Sequence, residues 1–407
     1  MSLPVHPFAW VSPLVLRGEE VVSGSVETGD DGRFAKSVAW SPDGSQLLST
    51  TEDNRLLVHE VDGALLDECR YYSSAVLQQS RSEVSGAAVQ RRLNINAGSP
   101  VYGSQWYPGM HAQSPETCCL VTTCKDRPIQ LWSALTGQVQ CSYVAKNHLD
   151  ELDACTALSF NLQGSRIYAG SKSAIRIFDV ENPGATSSSQ RRHKSSGMVS
   201  ALAFNPDYSG AYAVGTYARQ ITICVEGDEP PALELQSLDF DVTCVKWSPD
   251  GVCLWAGGRH CDDIVCWDLR HTRAELGRVE RRLASNQRMS FDLDAWGAHL
   301  VTGTQDGQVL VYDTATFALA ASHAPPASDC TNGVSMHLFC ALVAVSSGQR
   351  HFGLREEDEG VAGDDGDSEA GDLESIMATA GEKMAASSRI SLFGLPFSQR
   401  VIEASQE

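Results

Sequence analysis

The amino-acid sequence predicts an all-β fold, a seven-bladed β-propeller, on three observations. A module of three strands joined by tight turns recurs along the chain. Its later copies start about 43 to 46 residues apart, the spacing of propeller blades. Turn residues punctuate the chain roughly every eight to twelve positions, with few long segments of helical apolar period, as expected of short strands.

The clearest copy covers residues 242–270, VTCVKWSPDGVCLWAGGRHCDDIVCWDLR. Apolar alternation over 242–247 and 252–257 marks two half-buried strands. Ser248-Pro249-Asp250-Gly251 joins them: proline presets φ, the aspartate caps its own turn, and glycine tolerates positive φ. A polar turn, 258–263, leads to a third strand, 264–267, that ends in Trp267-Asp268, the WD signature. The other copies, in chain order, run from 38–44 to 56–59, from 102–106 to 129–132, from 158–160 to 175–179, from 202–207 to 221–224, from 289–291 to 309–313, and from 334–337 to 341–345. Seven copies close a ring, so the predicted class is a seven-bladed WD-repeat β-propeller.

Around these copies the chain divides as follows. Residues 1–35 are an N-terminal segment in which 11–16 is the candidate closing edge strand. Residues 36–354 form the propeller as one domain, because a repeat array is one architecture rather than several cores. Within it, 62–100 reads as a long insertion, a length that in compact folds marks function or disorder. A Ser-rich linker ends in the basic run 190–194, and the connection from blade five to six carries Arg278, Arg281 and Arg282. Residues 355–385 read as an acidic disordered loop inside the last blade, 386–397 as the last propeller strand, and 398–407 as a loose C-terminus.

The formal net charge is −20. Ten carboxylates against one arginine in 355–374 contribute −9 of it, leaving −11 on the remainder. Such a run cannot bury enough apolar surface to fold, and the overall acidity argues against indiscriminate nucleic-acid binding. Thirteen cysteines without a visible secretory signal are expected to be reduced thiols at strand positions. Neither His260-Cys261 with Cys266 nor Cys118-Cys119 with Cys124 has zinc-finger spacing, so no metal and no cofactor is expected. No run approaches a membrane span, and membrane association is not expected. The chain carries no phosphate-binding Gly-rich loop, no nucleophile elbow and no zincin helix, so it reads as a non-enzyme.

Propeller topology brings the segments entering each innermost strand, and the turns between second and third strands, to one face. That face gathers Lys36, Arg55, Lys125, Arg127, Lys172, Arg219, Arg259, Arg288 and Arg350, mixed with Asp53, Asp126, Asp150, Glu151, Asp262 and Asp306. Turn acids commonly accept hydrogen bonds from their own backbone, which would leave the arginines to pair with phosphate or stack on a base. The candidate RNA-binding residues are Arg288, Arg350, Arg259, Arg127, Lys125 and Arg219, with His148, Asn286, Gln287 and Asn332 as hydrogen-bonding neighbours.

Six stretches go beyond a generic propeller: PVYGSQWYPGM at 100–110, RPIQLWSALTGQV at 127–139, NHLDEL at 147–152, GGRHCDDIVCWDLR at 257–270, SNQRMSFDLDAWGAHLVTGTQDG at 285–307, and DCTNGVSMH with SGQR at 329–337 and 347–350. In this order they resemble the telomerase Cajal body protein family, WD-repeat proteins that bind small Cajal body RNAs and telomerase RNA. The resemblance implies a nuclear scaffold that recognises a short box in the hairpin loop of an H/ACA-type RNA and directs the particle to the Cajal body. It further implies small Cajal body RNA and telomerase RNA as clients and H/ACA or telomerase ribonucleoprotein proteins as partners. The chain is expected to be a monomer. Leu338 stands where that family usually has proline, and blade seven lacks a Trp-Asp. A competing reading is a protein adaptor, because Trp267-Asp268-Leu269-Arg270 matches the Trp-Asp-x-Arg signature of substrate receptors for cullin-type ubiquitin ligases.

Overall fold

Seven four-stranded antiparallel sheets stand in sequence order about a common axis. The computed structural model describes residues 22–27, 34–66, 89–349 and 389–394, with short breaks at 148, 173, 185–188, 193–196, 228–230, 236–237, 260, 282, 284–286, 324–328 and 341. The innermost strands are Ala35–Trp40, Val101–Trp106, Ala157–Phe160, Val199–Phe204, Asp241–Trp247, Phe291–Leu293 and Thr331–Met336. Apolar side chains from neighbouring blades meet in the seams. Trp247, Leu254 and Val265 of blade five, for example, share one cluster with Ala213, Ile221 and Ile223 of blade four.

The turns between first and second strands follow the logic of their sequence. In Ser41-Pro42-Asp43-Gly44, Gly44 takes φ +74°, and Asp43 accepts from the Ser41 hydroxyl at 2.7 Å, the Ser45 N–H at 3.0 Å and the Ala112 N–H of blade two at 2.7 Å. Burial works against the charged form of Asp43, but these donors outweigh it and hold the carboxyl below its usual range.

The ring is closed by strand exchange between the two ends of the chain. Val22–Glu27 pairs antiparallel with Arg389–Gly394, which pairs with Leu342–Ser347, so blade seven takes its outermost strand from the N-terminal segment. The edge strand expected at 11–16 and the acidic run 355–385 lie outside the described residues.

Two expectations are corrected. The stretch 62–100 is not all insertion: Val89–Asn96 is the fourth strand of blade one, and Leu65 and Leu66 are buried in the seam between blades one and seven. The basic run expected in a linker is likewise in part a strand, because Ser189–Arg192 is the fourth strand of blade three. An outermost strand pairs along one edge only, so its sequence need not show the apolar alternation by which inner strands are recognised.

Candidate nucleic-acid interface

Each blade is an antiparallel meander, so its connections alternate between two faces. The face that receives the start of every innermost strand also receives every turn between second and third strands. On it, register slips by one residue in five blades as the innermost strand begins, between Ala35/Ser37, Val101/Gly103, Val199/Ala201, Val242/Cys244 and Thr331/Gly333. A bulge of this kind takes one residue out of the ladder, here Lys36, Tyr102, Ser200, Thr243 and Asn332, and its carbonyl then needs another donor.

Side chains at two of these positions staple one blade to the next. Ser200 Oγ donates to Val242 O at 2.6 Å, and Asn332 Nδ2 donates to Ala35 O at 3.1 Å across the closure. Arg288, entering blade six, supplies donors to the bulge carbonyls on the axis. Its Nε donates to Thr243 O at 3.1 Å, its Nη2 to Ser200 O at 2.6 Å and Thr243 O at 2.9 Å, and its Nη1 to Tyr102 O at 3.3 Å. One guanidinium thus joins blades two, four and five at the mouth of the ring, yet the residue is exposed and no described carboxylate pairs with it.

At the junction of blades four and five, the Arg259 guanidinium lies 4.3 Å from the centroid of the Tyr217 ring, and its Nη2 donates to the Tyr217 hydroxyl at 2.9 Å. Beside them Arg219, in a left-handed turn at φ +59°, pairs with Asp241 at 3.2 Å. Lys125, Arg127 and Lys172 are exposed and make no side-chain hydrogen bond or ion pair to a described residue. Arg127 covers Gly98, where a Cβ would come within 2.4 Å of the guanidinium.

Not every expected site residue faces outward. Asn332 is buried, with its amide donating to Ala35 O and Gly348 O and its Oδ1 accepting from the Cys330 thiol. Gln287 is half-buried and also donates to Gly348 O, at 3.3 Å. Asn332 holds the ring closed, because the segment entering the last blade satisfies a carbonyl on the first, whereas Gln287 ties the entry to blade six to blade seven; Asn332 leaves the candidate set. Replacing Asn332 by alanine is expected to cost about 2 kcal/mol of unfolding free energy, since Ala35 O loses its donor in a buried site. Chemical denaturation of the two proteins measures it, and matching midpoints would refute the assignment. Arg350, His148 and Asn286 lie outside the described residues.

The expectation that turn acids leave the arginines free fails for Arg55 and Arg219. Asp53 pairs with Arg55 at 2.8 Å, Glu52 with Lys36 at 3.5 Å, and Asp241 with Arg219. Asp268 closes on Arg270 through bonds of 3.0 and 2.7 Å. The arginine of the adaptor signature therefore caps its own turn, and its hydrogen bond holds the Asp268 carboxyl down to about 2.

Two contributing residues, Arg176 and Tyr217, escaped the sequence reading, and a third, Arg281, was noted there only as part of a basic connection. Arg176 is buried, bonds Asp153 at 2.6 Å, Ser171 Oγ at 3.0 Å and Lys146 O at 2.8 Å, and so ties the 147–152 loop to its blade. A charge within the apolar strand Ala174–Asp179 was the signal for it. Arg281 sits fully buried under the connection to blade six, where only a general basic character was legible. Tyr217 is an aromatic in a turn, a weaker signal. The described cysteines are free thiols, and burial pushes Cys119, Cys155 and Cys330 up to about 12. Among the described residues no three His, Cys, Asp or Glu side chains converge as a metal site requires.

Comparison with known proteins agrees with the fold. The WD domain, G-beta repeat family matches residues 21–60. Telomerase Cajal body protein 1 of Bos taurus is 33% identical over 328 residues, 78% of this chain and 58% of that protein. The Homo sapiens protein of the same name gives the same identity and coverage. Guanine nucleotide-binding protein negative regulator 1 of Schizosaccharomyces pombe is 30% identical over 68% of this chain and 69% of its own length. The chain thus spans under two thirds of the length of the mammalian relatives.

Proposed function

On the premise that this chain belongs to the telomerase Cajal body protein family of WD-repeat proteins, we propose that it is a nuclear RNA-binding scaffold. It takes the hairpin-loop box of H/ACA-type small Cajal body RNAs, and of telomerase RNA, on the face that carries Arg288, and directs the particle to the Cajal body without chemistry of its own. H/ACA or telomerase ribonucleoprotein proteins are its partners in that role.

The observation that carries this reading is Arg288, an exposed guanidinium fixed on the axis by four hydrogen bonds to carbonyls. Carbonyls orient it but do not neutralise it, so its charge remains available to a phosphate. Arg127, Lys125 and Lys172 supply further exposed cations around the same rim. Local positive charge of this kind can bind a polyanion even on an acidic protein, because screening at physiological salt confines the repulsion of distant carboxylates to about 8 Å.

An Arg288→Ala, Arg350→Ala double variant tests it, with affinity for H/ACA-type stem-loop RNA measured over a salt series. Expected are an affinity loss of about tenfold or more and a salt slope shallower by about one to two units, since each phosphate contact contributes roughly 0.7 to 0.9. Thermal melts of both proteins control for folding. Equal binding by parent and variant would sink the proposal.

A further inference from the structure

We propose that Tyr217 and Arg259 form a stacking platform for one unpaired base of the bound RNA, over the junction of blades four and five. This rests on the RNA-binding reading and adds to it a distinct subsite that recognises a base rather than a phosphate.

The argument starts from which parts of Arg259 are already engaged. The side chain leaves the end of the strand Cys253–Arg259, directly opposite Asp241 in the neighbouring strand. Asp241 would be its natural carboxylate, but that carboxylate pairs with Arg219 instead. Arg259 turns to the Tyr217 ring, with its guanidinium carbon 4.3 Å from the centroid and Nη2 bonded to the phenol oxygen at 2.9 Å. Its Nε is buried and has no hydrogen-bond partner among the described residues. Two of its edge nitrogens are therefore occupied or enclosed, while no described carboxylate neutralises the cation, and both residues remain half-buried rather than covered. What the group offers a ligand is its plane. A planar, weakly hydrated cation lying on one aromatic ring is well suited to receive a second π-system on its other face.

The position agrees with the rest of the rim. Arg288 rests on the Ser200 and Thr243 carbonyls, which belong to the innermost strands of blades four and five. Tyr217 lies in the turn between second and third strands of blade four, and Arg259 ends the second strand of blade five just before the corresponding turn. A track therefore runs outward from the axis, from Arg288 to Arg259 on Tyr217. A single-stranded loop laid along it would set a phosphate against Arg288 and a splayed base against Arg259, the combination of backbone charge and base stacking by which unpaired RNA is held.

The test uses the same H/ACA-type stem-loop RNA, and a series in which each loop nucleotide in turn is abasic. Binding is measured for the parent, Tyr217→Leu and Arg259→Lys, the last retaining the charge but not the plane. In the parent, one abasic position is expected to cost about tenfold in affinity, the range of a single aromatic stack. In both variants the same position is expected to cost less than about twofold, with the salt slope unchanged. Because Tyr217→Leu also removes packing, Arg259→Lys decides the matter if the first variant folds poorly. A purely structural clamp would lower the melting temperature of the variants and leave the ratio of intact to abasic affinity unaltered, which would overturn the inference. A parent that binds intact and abasic loops equally well overturns the platform alone. A parent that binds no stem-loop removes the RNA reading and the platform together.

Discussion

Replacing Arg281 by alanine is expected to destabilise the propeller by about 4 kcal/mol, as a cavity and two stranded backbone acceptors combine in one buried site. Arg281 is 0% exposed. Its Nη2 donates to Gly258 O at 2.5 Å and its Nη1 to Met289 O at 3.3 Å, and its own N–H donates to Asp262 O. Room for the side chain comes from Gly257, where a Cβ would stand 3.3 Å from both terminal nitrogens. Burial pushes the guanidinium pKa down, yet the group stays charged because the ordinary value is so high. The loss of a costly buried charge partly offsets the loss of its bonds, but the carbonyls remain behind, and a buried acceptor without a donor is the larger penalty. Denaturant midpoints compare parent, Arg281→Ala and Arg281→Lys, with lysine expected to fall between because it keeps one donor group without the fork. A loss under about 1 kcal/mol for alanine would mean that water enters and satisfies both carbonyls. Under the proposed RNA-binding role, affinity for RNA should fall with it, since Met289 adjoins Arg288 in the chain and loses its tether.

Unfolding free energy is expected to drop by about 3 kcal/mol between neutral pH and pH 4 through His59 alone. The residue lies in the strand Arg55–Val61, fully buried, and neither ring nitrogen has a hydrogen-bond partner among the described residues. Burial, with a smaller push from Arg91, lowers its pKa from 6.5 to about 4. The fold holds the ring neutral, whereas the unfolded chain takes up a proton near 6.5, so the unfolded state binds more protons between those values. Stability from this group is intact above pH 6.5 and is lost as pH falls toward 4. His323, also lowered by burial, acts in the same direction. Denaturation at pH 7, 5.5 and 4.5 should give a clearly shallower pH dependence for His59→Leu than for the parent. Parallel curves would mean that His59 reaches solvent and protonates in the folded protein.

The repeat was legible because its inner strands and turns are locally encoded. Alternation in 242–247 and the Pro-Asp-Gly turns at 42–44 and 249–251 each require particular residues in their own few positions. The outermost strands were not legible: Val89–Asn96 read as insertion, Ser189–Arg192 as linker, and Gly277–Glu280 as a basic connection. Such strands are held chiefly by backbone pairing to the third strand, which almost any side chain allows. The candidate face was legible as a collection of basic residues from nearly every blade, though not in the state of each one. Arg55 and Arg219 are paired with acids, Asn332 is buried, and Arg288 points inward to carbonyls rather than outward as an isolated charge.

The amino-acid order of this chain is enough to establish a seven-fold β repeat, the identity of its turns and the family to which it belongs, since all three depend on residues near one another in sequence. The partner of each cation was settled only when the ring closed. Arg288 meets carbonyls numbered 102, 200 and 243, and Arg259 of blade five meets a ring of blade four. Contacts across such separations depend on where the blades place backbone and side chains in space, and no local pattern of residues encodes that distance.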